Sequence, residues 1–401
     1  MVDHHGMPTM DRRTFLRSGL ATGVVTAALG HGLWQQALAA PRPTGGGAYG
    51  PLGAPDANGI RLPAGFCSRV VATSGSLVPG TAYPWHSAPD GGATFGRPDG
   101  GWTYVSNSEV PAVGGAGAVA FGPDGAIVDA YRILVGTSVN CAGGPTPWAT
   151  WLSCEEHDAG LVWECDPGGR RVATPLPALG AFKHEAVAVD PLRRHLYLTE
   201  DQPDGRFYRF TPTAYPSLAA GRLEVAAVGA GGAVTWLAVP QPQGGALDPT
   251  RRQVPGSTAL KGGEGCWYHQ GTVYLTTKGD NRVWALDTTT SVLTVVYDAA
   301  SSPTPILTGV DNVTVAQNGD VLVAEDGGDM QVCLLRSGVV SPLLQVVGQD
   351  GSEITGPAFD PSGSRLYFSS QRGPAPSGTG ITYEVSGPFA APTRRKRTAP
   401  R

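Results

Sequence analysis

Acidic side chains and one cysteine recur at the start of six similar segments along this 401-residue chain. Carboxylate and amide oxygens suit hard ions such as Ca²⁺, whereas a thiolate or an imidazole shifts the preference toward a transition metal. If the six starts converge, repulsion and desolvation disfavour the cluster unless cations neutralise it. The sequence therefore predicts a mixed metal site. Its candidate residues are Asp90, Cys141 with Asn140, Glu185 with His184, Glu264, Asp311 with Asn312, and Glu353.

Cys141 is the candidate thiolate ligand because it begins its segment. Cys154 follows the apolar pair Trp151-Leu152, where burial as a small apolar side chain or disulfide pairing is the alternative. The six cysteines contain no CxxC pair, so the sequence indicates neither a zinc site nor a dense disulfide framework. The sequence is compatible with one or two disulfides.

Each segment has the pattern of a β-hairpin. HEAVAVDPLRRHLYLTED from His184 and DNVTVAQNGDVLVAEDG from Asp311 alternate apolar and polar residues, turn at Asp-Pro or Asn-Gly, and continue into a second β-rich run. The segments start at residues 90, 141, 185, 264, 311 and 353. Successive starts are therefore 51, 44, 79, 47 and 42 residues apart. A four-stranded propeller blade needs about 40 to 50 residues. The spacing of 79 then corresponds to one blade with an insertion at about residues 215–255.

These repeats predict an all-β, single-domain protein with a six-bladed β-propeller at residues 81–388 and an N-terminal extension at residues 41–80 that closes the ring. Two packed β-sandwiches are the weaker alternative, because the period is regular and no linker interrupts it. The innermost strands of a propeller line its central channel, so the six starts are expected to meet at one mouth.

Further acidic residues lie at the ends of second strands. Glu155 and Glu156 are predicted to face the opposite mouth of the channel. The sequence does not decide whether the pairs Glu200-Asp201 and Glu325-Asp326 form turns or support the metal site.

Composition fits a folded β-protein. The 57 glycines and 35 prolines disfavour long helices, and 41% hydrophobic with 15% charged residues excludes disorder and a coiled coil. The net charge of −4 argues against nucleic acid as a partner, since nucleic-acid binders normally carry a basic excess.

Residues 1–40 have the pattern of an export signal. Arg12-Arg13 precede an apolar stretch, and Ala37-Leu38-Ala39 fits a cleavage site. The twin arginine predicts a secreted or periplasmic protein that interacts with the twin-arginine export machinery. The apolar run of about fifteen residues is shorter than the ~20 that a membrane-spanning helix needs, so no stable membrane anchor is expected. Residues 389–401, with the basic run at 394–397, are predicted to be a disordered, solvated tail.

Four segments resemble the PhoX family of secreted alkaline phosphatases. They are NCAGGPTPWATWLSCEE, KHEAVAVD, DNVTVAQNGDVLVAEDG and SEITGPAFDPSGSRLYFSSQRG, and the similarity runs from about Pro84 to Gly373. The resemblance implies a six-bladed propeller with iron and calcium ions at the centre of the ring. It also implies hydrolysis of phosphomonoesters, with a small phosphoester as the substrate.

The same resemblance implies roles for individual residues. Cys141 would bind iron, and Glu185 and Glu264 would hold iron or calcium, so these three form the expected catalytic centre. Asp311 would share the ions, with Asp90 and Glu353 in the same shell. One departure concerns the Arg-Pro-Glu-Trp segment of the family, whose arginine can contact phosphate: here the segment reads Gly-Gly-Glu-Gly around Glu264.

Other basic residues are candidates for the missing phosphate contact. They are Lys261, Arg206, Arg209, Arg282 and Arg372, and a solvated surface position is the alternative for each arginine. Two other functions stay open: a calcium-dependent lactonase or esterase, and a non-catalytic propeller whose ions serve stability or ligand binding.

Overall fold

A computed structural model describes residues 47–245, 247–303, 305–375 and 378–389. The predicted export signal at residues 1–40 and the basic run at 394–397 lie outside these residues. Within them, no helix has the length and hydropathy needed to cross a membrane.

The described residues form 26 β-strands in six antiparallel sheets. Two short strands, β1 (Ile60–Arg61) and β2 (Cys67–Thr73), come first in the chain. Blade 1 contains β3 (Pro89–Gly96), β4 (Trp102–Ser108), β5 (Gly115–Phe121) and β6 (Ile127–Leu134). Blade 2 contains β7 (Asn140–Pro145), β8 (Trp151–Glu155), β9 (Val162–Cys165) and β10 (Thr174–Pro175). Blade 3 contains β11 (His184–Asp190), β12 (His195–Glu200), β13 (Phe207–Ala214), β14 (Ser217–Val228) and β15 (Val234–Ala238).

The remaining blades follow the same order. Blade 4 contains β16 (Gly263–His269), β17 (Thr272–Thr277), β18 (Arg282–Asp287) and β19 (Val292–Asp298). Blade 5 contains β20 (Val310–Val315), β21 (Val321–Glu325), β22 (Gln331–Arg336) and β23 (Val339–Val346), with β1 added at its edge. Blade 6 contains β24 (Ile354–Phe359), β25 (Arg365–Ser370) and β26 (Ile381–Ser386), with β2 at its edge. The described residues also contain three single 3₁₀ turns, at Pro177–Leu179, Ala230–Gly232 and Thr250–Arg252.

The first strand of each blade is the innermost strand of the propeller. β3, β7, β11, β16, β20 and β24 each contact the next one around a closed ring. Six apolar clusters fill the spaces between neighbouring blades; one of them packs Leu152 and Val162 of blade 2 against Val187 and Tyr208 of blade 3. The prediction of an all-β, six-bladed propeller is confirmed.

The ring is closed by the N-terminal strands. β2 pairs with β26 as the outermost strand of blade 6, and β1 pairs with β23 of blade 5. An N-terminal strand therefore supplies the fourth strand of the C-terminal blade.

The extra length between Glu185 and Glu264 belongs to blade 3 and its connection to blade 4. β14 has 12 residues and pairs with a fifth strand, β15. The chain then returns along the blade 3 edge, where Leu260 donates to the carbonyl of Gly205 at 2.9 Å.

Candidate metal centre

The second residue of each innermost strand lies at one mouth of the channel. We call this set the inner ring, and its members are Asp90, Cys141, Glu185, Glu264, Asp311 and Thr355. In five blades the shift in register between the first and second strands spans this position, and in blade 6 it comes just after it. Such β-bulges redirect side chains, so the bulge explains how six strands aim the same position into the channel.

Blade 6 differs from the sequence-based expectation. Glu353 was expected to begin this blade at the position that matches Asp90, but the strand starts at Ile354 and its second residue is Thr355. Glu353 lies just before the strand, with Arg372 Nη2 2.7 Å from its Oε1. The expectation of equivalent positions is therefore wrong for Glu353, because aligning the repeats on acidic residues shifted this blade by two residues. Thr355 instead donates to the carbonyl of Pro89 at 2.8 Å.

A second ring surrounds the first. We call it the rim ring, and it consists of the residue that follows the second strand of each blade: Glu109, Glu156, Asp201, Lys278, Asp326 and Gln371. Each of these residues donates its backbone N–H to the carbonyl of the residue just before the innermost strand of the same blade, at 2.7 to 3.3 Å. The second strand thus returns the chain to the mouth where the first strand began.

The rim ring corrects the prediction for Glu156. It was expected at the opposite mouth, yet a ligand atom of Glu156 lies within 4.8 Å of those of Cys141 and Glu185. Glu155 also lies at the end of β8 near this mouth, where it accepts the backbone N–H groups of Ser138 at 2.9 Å and Leu161 at 3.1 Å. An antiparallel strand pair begins and ends on the same side, which explains both positions.

The two acidic pairs divide between turn formation and the site. Glu200 accepts the Tyr208 hydroxyl at 2.8 Å, and Glu325 accepts the backbone N–H groups of Thr308 and Gln331 at 2.9 and 3.0 Å. Their neighbours Asp201 and Asp326 are the rim-ring members. The first residue of each pair therefore stabilises loops, and the second faces the mouth.

Three groups of possible ligand atoms lie across the mouth. Within each group, all ligand atoms are within 4.8 Å of one another. They are Asp90, Glu109 and Cys141; Cys141, Glu156 and Glu185; and Glu185, Glu264 and Asp311. Because Cys141 and Glu185 are each shared, the groups form one continuous series. Within it the Cys141 thiol donates to Glu185 Oε1 at 3.1 Å. None of the six cysteines forms a disulfide, so the Cys141 sulfur is free to bind a metal.

Burial and mutual repulsion disfavour negative charge in this series without cations. Burial, reinforced by nearby carboxylates, raises the pKa of Asp90, Glu185 and Glu264 well above the usual range, and the Lys278 ammonium partly offsets this rise in the pKa of Glu264. The pKa of the Cys141 thiol is raised for the same reasons, with Asp90 and Glu185 as the nearest charges. Carboxylates and a thiol that face each other in this way fit bound cations, since a cation removes the cost of their ionisation.

Neighbouring carboxyl groups show the same effect. Burial and the Asp201 carboxylate raise the pKa of Glu156 to about 7, and burial raises that of Asp311 to about 7. For Glu353, burial together with Asp311 and Asp90 raises the pKa to about 10. In the metal-free protein these groups stay protonated at pH values where free carboxylic acids are ionised.

Asn140, Asn312 and His184 are engaged in hydrogen bonds beside the series. Asn140 Oδ1 accepts the Thr137 hydroxyl at 2.6 Å, and Asn312 Oδ1 accepts the Gly356 N–H at 2.6 Å. His184 Nε2 lies 3.1 Å from the Gly180 carbonyl, and its ring packs against Phe182 with the two planes tilted by 33°. The amide oxygens expected to bind metal already have donors here.

Three basic side chains contact acidic residues of the mouth. Lys183 Nζ lies 3.5 Å from Glu156, Lys278 Nζ lies 2.8 Å from Glu264, and Arg372 contacts Glu353. Burial lowers the pKa of Lys278, but the Glu264 and Asp201 carboxylates outweigh this effect, so the net pKa is raised.

The other candidate arginines bind elsewhere. Arg209 pairs with Glu224 at 2.7 Å, Arg282 with Asp298 at 3.0 Å, and Arg206 donates to Ser257 Oγ at 2.8 Å. Arg372 is thus the candidate arginine that the structure places at the mouth.

Small residues close the channel beneath the inner ring. A Cβ atom on Gly91 would lie 2.4 Å from Ala142 Cα, and one on Gly265 would lie 2.4 Å from the Val313 nitrogen. The cavity at this level measures about 20 Å³, which is room for a single water. Molecules larger than a water therefore cannot reach the inner ring through this floor.

Comparisons with known proteins add family information. The family model described as alkaline phosphatase PhoX matches residues 115–160 and 157–300. The structure of Pseudomonas fluorescens PhoX in complex with vanadate, a transition state analogue, is similar with a TM-score of 0.68 and 17% identity, covering 84% of this chain and 97% of that chain. A Xanthomonas campestris gluconolactonase is similar with a TM-score of 0.51 and 14% identity, covering 86% and 99%. At identities this low, the two comparisons show that this chain has the same fold as those proteins. The comparison with curated proteins yields no match.

Proposed function

We propose that the chain is a member of the PhoX family of alkaline phosphatases and that it hydrolyses phosphomonoesters at metal ions held by the inner ring and the neighbouring rim. The observation that supports this most is the continuous series of three ligand groups at one mouth of the channel. Bound metal ions supply the positive charge that orients the phosphoryl group and offsets the charge developing on it.

We assign the metals by ligand chemistry. The group with Cys141, Glu156 and Glu185 suits iron, because a thiolate favours a transition metal over calcium. The group with Glu185, Glu264 and Asp311 offers only carboxylate oxygens, which suits Ca²⁺ or iron. Cys141, Glu185 and Glu264 are therefore the residues that hold the ions nearest the substrate.

The other predicted ligands take supporting places in this proposal. Asp90 joins Glu109 and Cys141 in the third group. Glu353 contributes from the loop before β24. Asn140 and Asn312 hold the backbone beside Cys141 and Asp311, since their side chains already bridge to Thr137 and Gly356.

The substrate class follows from charge and access. Lys278 and Arg372 are exposed at the mouth, whereas the channel floor has room for one water, so we propose that a small phosphomonoester enters from the mouth. An acidic protein can bind this anion because bound cations reverse the local field. We propose that the enzyme acts outside the cytoplasm after export by the twin-arginine machinery, on the strength of the pattern at residues 1–40.

A substrate panel tests this function. Protein matured through its export route and purified without chelator is assayed with p-nitrophenyl phosphate, a phosphodiester and gluconolactone, with iron and calcium measured in the same sample. We expect turnover of the monoester and little of the other two. Lactone turnover without phosphatase activity in metal-containing protein would reassign the site to the lactonase alternative.

A further inference from the structure

Lys278 is the single cation of the rim ring, whose other members are four carboxylates and a glutamine. Its Nζ lies 2.8 Å from Glu264 Oε1 and 3.0 Å from Asp201 Oδ2. The side chain is 40% exposed, whereas that of Glu264 is 3% exposed. The ammonium group therefore sits between a buried member of the metal-binding series and the mouth.

The local backbone holds Lys278 in this position. Its N–H donates to the carbonyl of Gly262 at 2.8 Å, as in every other blade. Gly262 has a φ of 62°, and a Cβ there would lie 3.1 Å from Lys278 Cγ. A glycine in this left-handed conformation leaves room for the lysine chain to pass over the start of β16 toward Glu264.

Counting donors suggests a second role for this lysine. A lysine ammonium has three N–H donors; here its contacts with Glu264 and Asp201 are ion pairs, and Glu264 Oε1 accepts no hydrogen bond from the described residues. We propose that Lys278 is the counter-ion of Glu264 in the metal-free site and becomes a phosphate-binding residue when Glu264 holds a metal ion. This inference rests on the proposed function and names the group that contacts the phosphoryl oxygens.

The exchange follows from competition for one carboxylate. Within the part of the chain that the structure describes, Lys278 is the only basic side chain in an ion pair with the group Glu185, Glu264 and Asp311. A cation bound by that group removes the charge that holds the ammonium at Glu264. Asp201 belongs to none of the three ligand groups, so it keeps the ammonium at the mouth while the released donor faces the incoming anion.

Lys278→Met and Lys278→Arg test the proposal, with Lys261→Met as the matched control. Lys261, which the sequence offered as a phosphate contact, is exposed and lies two residues before β16, and among the described residues it forms no ion pair with an inner-ring or rim-ring side chain. In metal-loaded protein, Lys278→Met is expected to raise KM for p-nitrophenyl phosphate and Ki for inorganic phosphate about tenfold or more, through loss of a charge-assisted hydrogen bond. Lys278→Arg should stay within a few-fold of wild type, because it keeps the charge and the donors.

Calcium affinity separates this role from a purely structural one. Removing a competing cation is expected to tighten Ca²⁺ binding by Lys278→Met several-fold, as measured by titration calorimetry, whereas a structural defect would weaken it. Wild-type Ki for phosphate in a Lys278→Met protein with full metal content would overturn the inference.

Lysine acetylation of the wild type provides a test that needs no variant. The other lysines are Lys183, Lys261 and Lys396, so mass spectrometry resolves each site. Lys278 is expected to react slowly in chelated protein, faster after metal loading, and slowly again with inorganic phosphate, while Lys261 reacts at the same rate in all three samples.

If p-nitrophenyl phosphate is hydrolysed but phosphate does not protect Lys278 from acetylation, this inference fails. If phosphate protects Lys278 but no monoester is hydrolysed, the anion contact is supported and the proposed function fails.

Discussion

Cys141 is the one thiol among the carboxylates of the inner ring. Burial and nearby carboxylates raise its pKa, so a thiolate forms there only with a metal that binds sulfur strongly. Cys141→Ala is therefore expected to lose at least about nine-tenths of its iron while it keeps the fold and most of its calcium. Elemental analysis and circular dichroism measure the two effects.

Cys154→Ala is the matched control for this change. Cys154 is fully buried between blades 2 and 3, and it belongs to none of the three ligand groups. Full iron content in Cys141→Ala, or equal iron loss in both variants, would contradict the assignment of iron to Cys141.

Glu264 tests the charge of the ligand series. Glu264→Gln keeps the shape of the side chain but replaces a carboxylate by an amide, which weakens binding of a hard cation. We expect phosphatase turnover to fall about 10²-fold or more, in line with the loss of one strong electrostatic contact to the transition state. Arg282→Ala, on a side chain paired with Asp298 away from the series, should keep at least half of the activity. Similar losses in both variants would show that Glu264 has no special role.

Individual residues show which parts of the site the sequence could predict. Four carboxylates and Cys141 begin hairpin repeats, so their shared position in the pattern predicted the inner ring. Glu109, Lys278 and Gln371 differ in type and follow second strands, and a pattern based on residue type could not find them. Counting one residue beyond each second strand would have identified all six rim positions.

At the level of elements, the β-bulge of each innermost strand orients the side chains of the inner ring. Gly265 follows Glu264 in such a bulge, and a Cβ there would meet Val313 N at 2.4 Å and Asn312 Cα at 2.8 Å, both backbone atoms of blade 5. Gly265→Ala should therefore push blades 4 and 5 apart and lower the free energy of unfolding by roughly 1 to 3 kcal/mol. Calcium content should also fall.

Gly229→Ala is the control for this substitution. Its nearest neighbour, the Ala233 carbonyl, would lie at an ordinary contact distance of 3.6 Å. Denaturant unfolding compares the two variants. Equal stability and equal metal content for Gly265→Ala and the wild type would contradict the role of the close approach.

The alternating sequence patterns predicted the hairpins, but they predicted the first residue of a strand less accurately. Glu353 and Ile354 precede Thr355, and a pattern based on acidic residues places the start of blade 6 at Glu353. Register depends on backbone pairing with β25, which residue type alone does not specify. The fifth strand of blade 3 was likewise expected only as an insertion, since Gly and Pro residues hide its short apolar pattern.

At the level of the whole molecule, pH should affect the metal-free and metal-loaded proteins differently. Burial raises the pKa of Glu156 and Asp311 to about 7 from ordinary values of 4.5 and 3.8. Between these values the folded protein keeps protons that the unfolded chain has released. The stability that these groups contribute is therefore full below about pH 4 and is lost as pH rises toward 7.

We expect the melting temperature of chelated protein to fall by roughly 5 °C between pH 5 and pH 8. The metal-loaded protein should show a smaller fall or none, because cations bind the ionised carboxylates. Differential scanning calorimetry at matched ionic strength measures both. Parallel pH profiles with and without metal would contradict the view that these carboxyl groups bind the ions.

The six-bladed architecture was the most predictable feature of the molecule, because a regular repeat of about 40 to 50 residues specifies a blade. Closure by β2 was expected only as a region of 41–80, and its pairing with β26 depends on contacts more than 300 residues apart in the chain. The sequence pattern of a single blade contains no information about such a distant partner.

The central claim is that ions held at the inner ring perform the phosphatase reaction. Anomalous diffraction at the iron and calcium signals, from crystals of protein that hydrolyses p-nitrophenyl phosphate in solution, tests it most directly. We predict an iron peak bonded to Cys141 Sγ and calcium or iron peaks bonded to Glu185, Glu264 and Asp311. Active crystals without a metal peak at the inner ring would contradict the claim.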